Sequence, residues 1–117
     1  MRRRTHRMYL EDILEAMEKI QEYVEGLDYE GFIGDDKTVD AVVRNLEVIG
    51  EASRNLPEEI KNPQPQVPWK NMIGLRNIAI HAYFGVDLKI IWEIIKKNIP
   101  ETKPKIKAIL NQEKEQA

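Results

Sequence analysis

Leu10-Glu11-Asp12-Ile13-Leu14-Glu15-Ala16-Met17-Glu18-Lys19-Ile20-Gln21-Glu22-Tyr23-Val24 decides the fold class. Its apolar residues Leu10, Ile13, Leu14, Met17, Ile20 and Val24 recur at spacings of three and four, which aligns them on one stripe of a helix. The spacing predicts a helix from about Thr5 to Tyr23 or Glu25. Gly26, Gly31 and Gly34 break the pattern, so Leu27, Tyr29 and Phe32 read as a loop that packs inward. The same period returns at Val39, Val42, Val43, Leu46 and Ile49, in a second helix capped by Asp35 or Asp36 and ended by Leu56-Pro57. Gly50 and Ala52, in its second half, are small enough to admit another helix, either from the same chain or across a dimer.

Pro57, Pro63, Pro65 and Pro68 mark a connection that no single helix can span, with room for one turn over Glu58 to Asn62. Pro68 suits the first position of a third helix, where its missing amide hydrogen is not needed. That helix is expected to run from Trp69 to about Tyr83, ending near Gly85. Asp87 is expected to cap a fourth, carrying Leu88, Ile91, Trp92, Ile95 and Ile99. Pro100 should interrupt it before a last helix with Ile106, Ile109 and Leu110. No stretch alternates with period two. The expected architecture is all-α, an antiparallel bundle of four to five helices. It forms one domain over 1–117, with a basic tail at 1–7 and a polar tail at 111–117.

Composition narrows the function. With no cysteine among 117 residues, disulfides, thiolate catalysis and cysteine-bound metal are excluded. No apolar run is long enough to cross a bilayer. The Arg-rich start leads into an acidic amphipathic segment, so no signal peptide, no membrane contact and a cytoplasmic location are expected. The net charge of −2 lacks the overall basic character of many nucleic-acid binders. Arg2, Arg3, Arg4 and Arg7 nevertheless crowd the start, either as a solvated tail or as an arm contacting RNA phosphates.

Two histidines are present, His6 and His81. His6 reads as a surface residue of the N-terminal tail. His81 lies in Arg76-Asn77-Ile78-Ala79-Ile80-His81-Ala82-Tyr83, near the expected helix end. Asn77 and His81 stand one turn apart on one face, and Arg76 and Tyr83, seven apart, share another. Arg76 and His81 are separated by about 140° around an ideal helix. Spacing alone does not join them, and on these residues taken by themselves a buried Arg–His pair holding a helix turn is the simpler reading. His81 has no second histidine at metal-ligand spacing, and Asp35, Asp36 and Asp40 are accounted for by capping and a polar helix face. Neither a metal nor another cofactor is expected.

Leu75-Arg76-Asn77 through His81-Ala82-Tyr83-Phe84-Gly85-Val86-Asp87, followed by Ile91-Trp92-Glu93-Ile94, resembles the HepT-type branch of the HEPN family, with its Arg-x4-His-x-Tyr signature. Arg44-Asn45-Leu46-Glu47-Val48-Ile49-Gly50-Glu51-Ala52 resembles that branch's second helix, so the likeness covers roughly residues 8 to 110. The resemblance implies a metal-independent endoribonuclease with Arg76 and His81 as the catalytic pair and Asn77 as a supporting polar residue. It further implies a homodimer in which motifs from two chains line one cleft, and a role as toxin in a type VII-like toxin–antitoxin module of the HepT–MntA kind. A minimal nucleotidyltransferase partner would then adenylylate Tyr83.

These side chains suit that chemistry. RNA supplies its own nucleophile, the 2′-hydroxyl. Histidine, titrating near about 6.5, can take that proton or protonate the leaving 5′-oxygen. Arginine remains charged and holds phosphate through paired hydrogen bonds. Two competing readings stand beside this one. The first is a non-catalytic helical dimer that binds nucleotide or RNA or docks a nucleotidyltransferase. The second is a purely structural motif, in which removing His81 would cost several kcal/mol.

Overall fold

In a computed structural model the chain is described over residues 4–84 and 88–116, the side chains of Tyr83 and of 114–116 excepted. Arg2, Arg3, Gly85 and Asp87, to which the sequence assigns an arm, a helix end and a cap, lie outside the described residues. The described part is helical, with no strand.

Helix α1 (His6–Tyr23) begins as its spacing predicts, with the Thr5 hydroxyl accepting from the Met8 amide. Leu10, Ile13, Met17 and Ile20 form its buried stripe. The Gly26–Gly34 segment is not a plain loop. Gly26 turns the chain at φ +80°, and Asp28 then caps a short helix, α2 (Tyr29–Ile33), by accepting from the Gly31 amide. The signal for α2 is the Asp28 cap, obscured by the glycines around it. Phe32 is fully buried and stacks on Trp92 at 5.3 Å, so the inward packing is as expected.

Helix α3 (Asp36–Asn55) is the centre of the bundle and packs on both α1 and the helix bearing the Arg–His motif. Its N-cap Asp35 accepts from the amide and hydroxyl of Thr38. Those two bonds, the hydroxyl's first, lower the Asp35 pKa from its ordinary 3.8. A carboxylate whose pKa falls on folding stabilises the fold above the unfolded value and loses that contribution as pH falls through the folded one. Asp35→Ala should therefore lower the melting temperature at neutral pH, and the gap from wild type should shrink below about pH 4. A gap that is constant across the acid limb would contradict this.

After Pro57, a single turn, α4 (Glu58–Lys61), fills the proline-rich connection. The expected third helix is divided into α5 (Trp69–Ile73) and α6 (Leu75–Tyr83). Pro68 precedes α5 as its cap, with ψ 68°, instead of opening it. The division falls at Gly74, whose carbonyl accepts from both Asn77 and Ile78. Gly74 keeps right-handed helical angles (φ −66°, ψ −14°), so the break is a local tightening of the ladder. Glycine, the least helix-favouring residue after proline, is where such a break costs least.

Helix α7 (Leu88–Glu93) leads into a π-helical turn over Ile94–Asn98 and then α8 (Ile99–Gln116). Pro100 does not interrupt the chain as predicted. In the widened turn the Ile99 amide donates to the Ile94 carbonyl, five residues back, and the proline is accommodated just inside α8. The helix continues through 111–116, where a polar tail is expected, and the His6 ring meets the Glu113 carboxylate at 2.5 Å. His6 thus belongs to α1 and ties it to α8, not to a tail. Lys103 reaches Gln21 at the other end, so α1 and α8 run antiparallel.

Candidate functional site

Helix α6 runs antiparallel to α3. Its start passes Gly50, and a Cβ built on Gly50 would lie 2.8 Å from the Arg76 amide nitrogen and 3.3 Å from the Ile73 carbonyl oxygen. At its end, Ala82 meets a hollow lined by Val39 and Val43. The small residue read from sequence as admitting a helix does so within the chain. Leu75, Ala79 and Ala82 are buried, while Arg76, Asn77, Ile80 and His81 face solvent.

Arg76 stands in the first turn of α6. Its guanidinium lies 3.5 Å from the Glu51 carboxylate, both side chains about half exposed at 53%. It forms one wall of an open groove of about 490 Å³ floored by Val48 and Ala52 of α3. His81 occupies the last turn of α6, where its carbonyl accepts from the Phe84 amide, and its exposed imidazole has no hydrogen bond or ion pair among the described residues. It does not line the Arg76 groove. Because α6 persists through Tyr83, Arg76 and His81 remain about 140° apart around the helix and about 7.5 Å apart along it. Between these two margins lie Asn77 and the exposed Ile80 and Phe84, the last 74% accessible. Arg76 and His81 therefore do not form a buried pair within the chain. Tyr83 ends α6, one stripe with Arg76 by position.

Of the N-terminal arginines, Arg4 folds back to pair with Asp12 and lies over the Tyr9 ring at 5.2 Å. It joins Arg76 in lining the groove. Arg7 is paired with Glu11 along α1, away from it. Arg44, Glu47 and Glu51 also line the groove and were not singled out by spacing. The only sequence signal for them is that they fall within the segment Arg44–Ala52. Among the described residues no group of three or more His, Cys, Asp or Glu side chains is placed to hold a metal ion. No helix there is long and apolar enough to cross a membrane.

The profile of the family described as "Ribonuclease HepT-like" matches residues 13–109, spanning α1 to α8 and including the whole of α6. The chain belongs to the HepT-like ribonuclease family. It is 46% identical over 107 residues, 92% of its length and 97% of the relative's, to a protein of Thermococcus cleftensis named "Probable ribonuclease HepT". A Caldanaerobacter subterraneus protein, provisionally named an RNase, is 48% identical over 95% of the chain and 99% of its own length. A Methanocaldococcus jannaschii protein with the same provisional RNase name is 41% identical over 93% of the chain and all of its own length. No solved structure is a significant match. The HepT-like assignment agrees with the all-helical architecture.

Proposed function

We propose that this HepT-like chain is a metal-independent endoribonuclease that acts as the toxin of a type VII-like toxin–antitoxin module. The observation that carries the reading is the solvent face of α6, which presents Arg76, Asn77 and His81 around the exposed Ile80 and Phe84. A second copy laid on that apolar strip would bring one protomer's Arg76 margin to its partner's His81 margin, completing in a two-fold dimer what one chain leaves apart.

In such a cleft one His81 removes the proton from the 2′-hydroxyl, whose oxygen attacks the adjacent phosphorus. The partner's His81 protonates the departing 5′-oxygen as its bond to phosphorus breaks. Arg76 holds the phosphate oxygens and offsets their growing charge, with Asn77 as a neutral donor. The products are a 2′,3′-cyclic phosphate and a 5′-hydroxyl end. Transfer of AMP to Tyr83 by a nucleotidyltransferase antitoxin would place bulk and negative charge on the Arg76 stripe, repelling RNA. Arg2, Arg3, Arg4 and Arg7 are candidates for contacts to flanking phosphates.

Purified protein should cut single-stranded RNA at an undiminished rate in excess EDTA, leaving ends that accept phosphate at the 5′ position without prior dephosphorylation. Activity that disappears with chelation and returns with a divalent ion would sink the metal-independent mechanism. The separation of Arg76 from His81 within one chain favours one competing reading, a non-catalytic dimer that binds RNA or nucleotide or docks the nucleotidyltransferase. Tight RNA binding without new ends over long incubation would decide for it.

A further inference from the structure

The Arg76 groove holds three arginines, each already held by a carboxylate. Arg4 pairs with Asp12, Arg44 with Glu47 at 3.5 Å, and Arg76 with Glu51 at 3.5 Å. Arg44 and Glu51 are two turns apart on α3, about 10 Å along the axis, so Arg44 and Arg76 are spaced for different phosphates of one strand. Arg44 and Glu47 also line the hollow at Ala82, so the groove continues past them along α3 toward the His81 end of α6. Arg4 brings with it the ring of Tyr9, an aromatic face at the groove wall.

We infer that this groove is the path of a single-stranded RNA backbone leading to Arg76, with Arg44 and Arg4 as its phosphate contacts and Asp12, Glu47 and Glu51 as displaceable stand-ins for phosphate. The inference rests on the ribonuclease reading for its substrate but not on cleavage itself. The Arg44 and Arg76 pairs are well exposed, and such ion pairs contribute little in water. Phosphate accepts two parallel N–H bonds from a guanidinium and gains more than the carboxylate loses. The carboxylates keep the arginines extended over the groove in the free protein. They also neutralise the patch, so that a lone anion gains little and a strand that replaces several pairs at once gains the sum.

The test is binding of a fluorescent single-stranded 2′-deoxy oligonucleotide, which has no 2′-hydroxyl and is not cut, titrated at several salt concentrations. Arg44 is 73% exposed, so Arg44→Ala should fold normally. It should weaken binding by about 3- to 10-fold and reduce the slope of log affinity against log salt by about 0.7, one phosphate contact on a single strand. Glu47→Gln, which frees Arg44 without removing it, should tighten binding. Unchanged affinity and slope in Arg44→Ala, no gain in Glu47→Gln, or no binding by the unaltered protein at low salt overturns the proposal. Cleavage of RNA by Arg44→Ala with an unaltered KM would do so while leaving the nuclease reading intact. Arg44-dependent binding without any cleavage would support the path and remove the nuclease.

Discussion

Replacing His81 by alanine should reduce RNA cleavage by about 10²–10⁴-fold, the contribution of a positioned proton-transfer group, and leave the melting temperature essentially unchanged. The imidazole is exposed and makes no hydrogen bond or ion pair among the described residues, so its loss removes no packing and strands no partner. Surface changes of that kind stay within about 0.5 kcal/mol. Single-turnover cleavage and thermal unfolding of the same preparation separate the two effects. Arg76→Ala should show the same pattern, its ion pair with Glu51 being half exposed. Mixing the two inactive variants adds a geometric test. Half the re-formed dimers carry one Arg76 and one His81 on different chains, and because the reaction draws its base and its acid from two His81 side chains, activity should stay near that of His81→Ala. Undiminished cleavage by well-folded His81→Ala would remove that residue from the reaction. Recovery of the mixture toward about a quarter of the unaltered level would mean that one Arg76–His81 pairing across the two chains suffices and that the second His81 is not needed.

Much of this architecture is legible in the sequence because helix periodicity is a local signal. The stripes of α1 and α3, the Asp35 cap and the ending at Leu56-Pro57 all follow from spacings of three and four and from capping chemistry. The departures occur where a tertiary demand competes with a local breaker. Gly31 and Gly34 suggest a loop, yet burial of Phe32 against Trp92 holds the intervening residues in a turn of helix. Pro100 suggests an interruption, yet Ile95, Ile99 and Ile106 are all buried, and one π turn lets the chain stay helical through the proline. Gly74 shows the converse, since nothing in the apolar pattern around it marks a division.

The candidate site is legible in the sequence as a set of residue types but not as an arrangement. Arg76, Asn77 and His81 are all exposed on α6, consistent with functional groups, but the helix keeps the first and last on opposite margins. Arg44, Glu47 and Glu51 approach Arg76 only because α3 and α6 cross, a long-range fact that no spacing within either segment encodes.

That crossing is tight at Gly50, and Gly50→Val should damage both stability and cleavage. A Cβ there falls 2.8 Å from the Arg76 nitrogen and 3.3 Å from the Ile73 oxygen. Both are main-chain atoms of the opposing helices and cannot swing aside. Gly50→Ala sets a gain of up to about 1 kcal/mol in helix propensity against about 1–3 kcal/mol for overpacking, so a modest net loss is expected. Valine adds two methyl groups at the same contact and regains less propensity, so the overpacking dominates and a loss of about 3 kcal/mol is expected. Relief requires α6 to move off α3, taking Arg76 with it, and a displacement of about 1 Å in a positioning group can cost about 100-fold in rate. Cleavage by Gly50→Val should therefore fall by about that factor well below its melting temperature, where the protein is folded. Ser53, also buried in α3, supplies the contrast. Its hydroxyl has no hydrogen-bond partner among the described residues, so Ser53→Ala should raise stability by up to about 1 kcal/mol and leave the rate alone. Wild-type stability and rate in Gly50→Val would show that α3 and α6 do not need this close approach. A stability loss without a rate loss would show that Arg76 is positioned by something other than the Gly50 contact.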